Sequence, residues 1–85
     1  MTIVRFTSTT CVPCKRQGKL IAELKERGDI KVDIQSVDVE QEPEFARRCH
    51  VRSVPTLVKL EDDQPVASLN GAVPEDQLMA FLNED

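Results

Sequence analysis

The stretch that decides the fold is "STTCVPCK", Ser8 to Lys15. It places two cysteines three positions apart, on the border between an apolar run and a helical segment. Upstream, "TIVRFT" at 2–7 is β-branched and aromatic and reads as a strand. Downstream, Leu20, Ile21 and Leu24 recur at helical spacing with Lys, Glu and Arg between them, and Gly28 follows as a C′ residue. Pro13 falls in the first helical turn, where its missing N–H costs nothing; Thr9 or Thr10 is the expected cap. The local reading is strand, tight turn, helix, with Cys11 at the start of the helix and Cys14 one turn in.

Working outward, "KVDIQSVDV" at 31–39 is a second β-branched segment. Its apolar positions change phase at Ser36, which predicts a local irregularity there. Pro43 opens a short helix reaching about Cys49, with acids near its start and Arg47 and Arg48 near its end, as the helix dipole favours. His50 is expected at its C-cap in the left-handed region. Ser53 to Leu60 reads as a strand with Pro55 at its beginning, where proline is permitted. "EDDQP" is a turn, with Asp63 or a neighbour expected at positive φ, and "VASL" is a short antiparallel partner. "PEDQLMAFLNED" is the last helix, with Leu78, Met79, Phe81 and Leu82 on its apolar side. The order β-α-β-α-β-β-α predicts an α/β fold: one domain over 1–85, a four-stranded mixed sheet and helices on both faces.

Composition sets bounds. The chain has 85 residues, 40% of them apolar, and a net charge of −4 spread along its length. Three Phe with no Tyr or Trp, and no basic stripe, argue against nucleic acid as a partner. No apolar run approaches the roughly 18–20 residues of a membrane helix. "MTIVRF" is already strand-like and has no basic leader, so a cytoplasmic protein is expected, where structural disulfides are rare.

Three uses of the cysteine pair are then weighed. Zinc wants four ligands and a lone C-x-x-C supplies two; Cys49 and His50, adjacent in sequence, have the wrong spacing for a second knuckle. A two-residue loop closed by a staple removes little unfolded-state entropy. Electron shuttling fits better. A cysteine at a helix N-terminus faces unpaired N–H groups and the positive end of the dipole, which favour thiolate over thiol. Cys11 is that residue, and the more sheltered Cys14 is close enough to attack a mixed disulfide formed on it. Pro13 stiffens the turn, and Lys15 adds positive charge nearby. Val54-Pro55 before a strand offers a backbone edge for an extended substrate chain. Cys49 is read as a small buried residue at a helix end.

These residues together resemble the thioredoxin family over nearly the whole chain. "CVPCK" resembles its C-G-P-C-K site, "VDVEQEP" the end of a core strand, "VRSVPTLVKL" its cis-proline segment, and "NGAVPEDQLMAFL" its closing turn and last helix. The resemblance implies a minimal thioredoxin fold of glutaredoxin size and an enzyme that reduces protein disulfides. Its redox-active disulfide would be Cys11–Cys14, with no other cofactor and no metal. Cys11 would be the attacking thiol and Cys14 the resolving one. Pro55 would be the cis-proline, Val54 would pair its backbone with substrate, and Gly71 would allow close approach. Thr10, Val12 and Pro13 would complete the substrate surface of a monomer.

The departures are specific. Thr10 stands where the family has Trp, Val12 where it has Gly, and Lys19 where it has a mid-helix proline. Arg5 replaces the family's buried acid and cannot accept a proton. Pointed at the site, Arg5 would stabilise thiolates and make the protein more oxidising; because an unpaired buried arginine is costly, it is expected to snorkel outward instead. The loop "NGAVPED" has one glycine where glutaredoxins carry a Gly-Gly-Asp-like glutathione clasp, and Asp76 falls late. That favours recharging by a thioredoxin reductase over glutathione, although Lys15 and Arg52 offer cations for a small anionic thiol. Ribonucleotide reductase is a target of such small proteins by resemblance alone.

Overall fold

A computed structural model describes residues 1–84. The elements run β1 (Thr2–Thr7), α1 (Val12–Glu26), β2 (Ile34–Asp38), α2 (Pro43–Arg48), β3 (Thr56–Glu61), β4 (Gln64–Asn70) and α3 (Glu75–Asn83). The sheet order is β2-β1-β3-β4. β1 and β2 are parallel, and β3 runs antiparallel to both β1 and β4. This is the four-stranded mixed sheet with three helices that the sequence predicts.

The central strands explain the layering. Alternate residues of β1 point to opposite faces. Ile3 joins Ile21, Leu24, Ile30, Leu57, Leu78 and Leu82 beneath α1 and α3. Val4 and Phe6 join Val37, Ala46, Cys49, Val58 and Leu60 beneath α2. Arg5 therefore lies on the α1 side, flanked by Ser36 and Leu57 of the neighbouring strands. On the other face the Phe6 and Phe45 rings sit 5.3 Å apart and tilted, and the Arg48 guanidinium lies over Phe45.

The phase change at Ser36 has a different cause from the one expected. The β1–β2 register runs unbroken from Ile3↔Ile34 to Thr7↔Asp38. Val32 and Ile34 pack on the α1 side, whereas Val37 and Val39 pack on the α2 side. The strand is regular, and different halves of it are covered by helices on different faces. The sheet's register shift lies instead between Lys59 and Leu60, opposite Ala67 and Pro65, leaving Val66 unopposed. β4 is also longer than the expected "VASL", and β3 begins at Thr56 rather than Ser53.

Helix ends follow local chemistry. α1 closes in a Schellman arrangement: the Gly28 N–H donates to the Lys25 carbonyl at 3.1 Å and that of Asp29 to Leu24 at 2.9 Å, with Gly28 at φ 81°. α2 ends the same way, with His50 at φ 60° in the left-handed position. Asp62 and Asp63 both have positive φ, as the β3–β4 turn requires. Lys59 is buried on the α3 side. Its Nζ donates to the Glu84 carbonyl at 2.9 Å and sits 4.5 Å from the Phe81 ring centroid, so it ties β3 to the end of α3.

Candidate active site

The cap of α1 is Cys11 itself, and this corrects the expectation of Thr9 or Thr10. Cys11 has extended backbone, and its Sγ accepts the N–H of Cys14 at 3.1 Å. A sulfur thus occupies the place usually taken by a Ser or Asp oxygen, aimed at the unpaired N–H groups of the first turn. Its own carbonyl accepts the Lys15 N–H, the first bond of the helix. Cys11 and Cys14 are joined as a disulfide, with Cα atoms 5.2 Å apart. Their environments differ. Cys11 is partly open to solvent, whereas Cys14 is 1% exposed.

Thr10, Val12 and Lys15 are exposed around the opening and Pro13 is partly so, and Val12, 63% exposed, puts an apolar surface beside Cys11. The Val54–Pro55 bond is cis, and the Val54 carbonyl oxygen lies 3.8 Å from Cys11 Sγ. Pro55 is buried, and its carbonyl accepts the Gly71 N–H at 2.8 Å. The cysteine turn, the proline turn and the β4–α3 turn therefore meet at one end of the sheet. Gly71 has φ 83°, and nothing lies within 4 Å of where its Cβ would be. That backbone conformation by itself favours glycine. Beside Val54, residues Val39, Ala46, Val51 and Ser53 line a mainly apolar cleft of about 190 Å³, with Arg52 at its edge.

Arg5 does not snorkel. It is half-buried, and its Nη1 donates to the Cys14 carbonyl at 3.2 Å. That bond supplies the partner whose lack argued for an outward pose. Burial lowers the guanidinium's pKa. Two further features went unread in the sequence. The Ser8 hydroxyl donates to Glu40 at 3.2 Å, tying the loop before Cys11 to the loop after β2. Gln17 is buried on the inner face of α1, and among the described residues neither of its amide atoms has a partner. Its place three residues after Cys14 was the available signal, because i and i+3 share a helix face. Cys49 and His50 lie apart from this site, against Thr56 and the outer part of β4. Burial pushes the Cys49 thiol up, and the nearby Arg48 charge opposes this in part.

The thioredoxin family model matches residues 1–84. The chain belongs to the thioredoxin family. A thioredoxin of Staphylococcus aureus is 35% identical over 82 residues, covering 96% of this chain and 79% of that one. Among solved structures, the chain is similar to thioredoxin from Malassezia sympodialis, with a TM-score of 0.80, 30% identity, and 95% and 70% of the two chains covered. Mitochondrial thioredoxin 3 of Saccharomyces cerevisiae in its oxidised form gives a TM-score of 0.79, 28% identity, and 95% and 74% coverage. With a thioredoxin fold and a bonded Cys11–Cys14 pair at a helix start, the protein is a thiol-disulfide oxidoreductase that reduces protein disulfides. Family members act on disulfide-containing proteins and are recycled by thioredoxin reductase. No described helix is long and apolar enough to cross a membrane.

Proposed function

We propose that Cys11 is the attacking thiol and Cys14 the resolving thiol of a cytoplasmic, monomeric disulfide reductase recharged by a thioredoxin reductase. The observation that carries this is the asymmetry of the pair: one sulfur caps the helix and is reachable, the other is sealed beneath it. In the reduced protein the Cys14 N–H favours negative charge on Cys11 Sγ. The Cys11 thiolate attacks one sulfur of a partner disulfide, and the partner's other sulfur leaves as a thiolate and takes up a proton. Cys14, deprotonated in turn, attacks Cys11 Sγ, releases the second partner sulfur and regenerates the internal disulfide. Two electrons pass from the protein's sulfurs to the partner's, and no other cofactor enters.

Substrate binding is assigned to the surface around Cys11. The Val54 backbone pairs with an extended partner segment, as an added strand pairs with a sheet edge. Thr10, Val12 and Pro13 on one side, with Pro55 and Gly71 on the other, form the walls, and the cleft beside Val54 receives an apolar partner side chain. With Thr10 in place of a large aromatic, this surface is less flat than the family's usual one and admits bulkier partner loops. Ribonucleotide reductase is a partner to test. The deciding experiment is insulin reduction with the protein recharged either by NADPH and a thioredoxin reductase or by glutathione and its reductase. The expected result is turnover with the former at least about tenfold faster; faster turnover with glutathione overturns the assigned reductant.

A further inference from the structure

Two side chains that disulfide exchange does not itself demand belong to the surroundings of Cys14, one bonded to its carbonyl and one on its helix face. From β1, the half-buried Arg5 reaches the Cys14 carbonyl with Nη1 at 3.2 Å. Gly18 lies over the guanidinium: a Cβ there would come within 3.1 Å of Nη2, so the missing side chain makes room for the cation. From α1, Gln17 shares the inner face with Cys14, is 3% exposed, and has no hydrogen-bond partner at Nε2 or Oε1 among the described residues. A buried amide left unpaired in this way is costly, and its persistence calls for a cause.

The redox state of Cys14 supplies one. In the disulfide, its sulfur carries neither proton nor charge. Reduction adds two electrons and two protons and breaks the S–S bond, leaving at Cys14 a thiol that can donate to Oε1 or a thiolate that can accept from Nε2. We propose that Arg5 and Gln17 are positioning residues that stabilise the reduced form of Cys14, the guanidinium through its charge and the carboxamide through the hydrogen bond it lacks in the disulfide. This rests on the dithiol exchange proposed above. The step served is resolution. Cys14 gives its proton to solvent and attacks Cys11 Sγ, the bond from Cys11 to the partner breaks, and the departing partner thiolate takes a proton from solvent. In this step Cys14 is oxidised and the partner's sulfur is reduced, while Cys11 stays at the disulfide level and exchanges the partner for Cys14.

Arginine stays charged across the protein's working range. Other charged groups on the surrounding elements are engaged or turned outward: Lys15 and Arg16 are exposed, Lys59 of β3 is held by the Glu84 carbonyl, and in the first turn of α3 Glu75 pairs with Arg27 and Asp76 is exposed. A cation and an amide therefore act on Cys14 in place of a carboxylate. They increase its thiolate fraction at neutral pH and make the couple more oxidising.

The test uses the full chain. Reduction potentials of Arg5→Met, Arg5→Lys and Gln17→Leu are measured by equilibration with a glutathione redox buffer, and the Cys14 thiol is titrated by thiolate absorbance in a Cys11→Ser, Cys49→Ala background. Arg5→Met is expected to raise the Cys14 pKa by about one unit and, with the potential measured at a pH above the Cys14 pKa of both proteins, to shift the couple about tenfold toward the disulfide, about 30 mV more reducing. Arg5→Lys should keep most of the original values. Gln17→Leu should make the couple more reducing and raise the Tm of the oxidised protein more than that of the reduced one. An unchanged potential in Arg5→Met, or an equal shift in Arg5→Lys, overturns the role of charge. An equal Tm change in both redox states of Gln17→Leu overturns the role of the amide, and this comparison needs no Arg5 variant to fold. None of these readouts uses a reductase, so failed turnover in the wild type bears on the assigned reductant alone.

Discussion

The first turn of α1 and the last turn of α2 each carry a cysteine, and the two sites differ in every respect that governs sulfur chemistry. Cys11 caps a helix start, where an N–H is directed at its sulfur from 3.1 Å and solvent reaches it. Cys49 caps a helix end, where the nearby backbone groups are carbonyls; it is 6% exposed, and burial pushes its thiol up. Which end of a helix a cysteine occupies, and how open that end is, decides whether it exchanges or merely packs.

The sharpest way to break this comparison is to delete each sulfur in turn. Cys11→Ser should lower insulin reduction by about a thousandfold or more, the scale on which loss of a nucleophile acts, whereas Cys49→Ala should leave turnover unchanged. Equal losses would erase the distinction. Next in size, Cys14→Ser should hold a partner as a mixed disulfide, visible as a larger species on a non-reducing gel and released by dithiothreitol. In the reduced wild type, alkylation by iodoacetamide at pH 7 should label Cys11 at least about tenfold faster than Cys49, with half-maximal rate at Cys11 below the free-thiol value of about 8.5. Smaller still is the stability effect of Cys49→Ser, expected at about 1–3 kcal/mol by urea unfolding, because a buried hydroxyl would replace a thiol that packs as an apolar group.

The smallest effect is a pH dependence. Burial raises the pKa of the folded Cys49 thiol above that free-thiol value. Above that pH the unfolded chain has lost this proton while the folded chain keeps it, so the unfolded state binds fewer protons and stability falls as pH rises. Below it, both states are neutral at this residue and the contribution is flat. The difference between wild type and Cys49→Ala should therefore acquire a slope only in alkaline solution; a difference that changes with pH near neutrality would contradict the burial of this thiol.

The comparison also shows what the sequence could convey. Strand and helix order, the central role of "CVPC", the left-handed His50 and the buried Cys49 were legible because each depends on local periodicity or on residues a few positions apart. The reading went astray where the cause was nonlocal. Ser36 looked like a break because sequence does not show that α1 and α2 cover different halves of β2. Arg5 looked too costly to bury because its partner is a carbonyl nine residues away, reached across a gap that Gly18 leaves open. Thr9 or Thr10 looked like the cap because hydroxyls usually fill that role, and only the backbone geometry reveals the sulfur doing so. Gln17 was legible only through its spacing of three from Cys14; that its amide is buried without a partner among the described residues emerges only once the helix is packed.

The arrangement of β4 has a consequence for handling the protein at high concentration. This strand borders the sheet, and a row of open N–H and C=O groups along such a border can recruit strands from other molecules. Here Pro65 contributes no N–H, and the unopposed Val66 breaks the spacing of the ladder. This border therefore makes a poor template for cross-β growth, blunted by two adjacent residues.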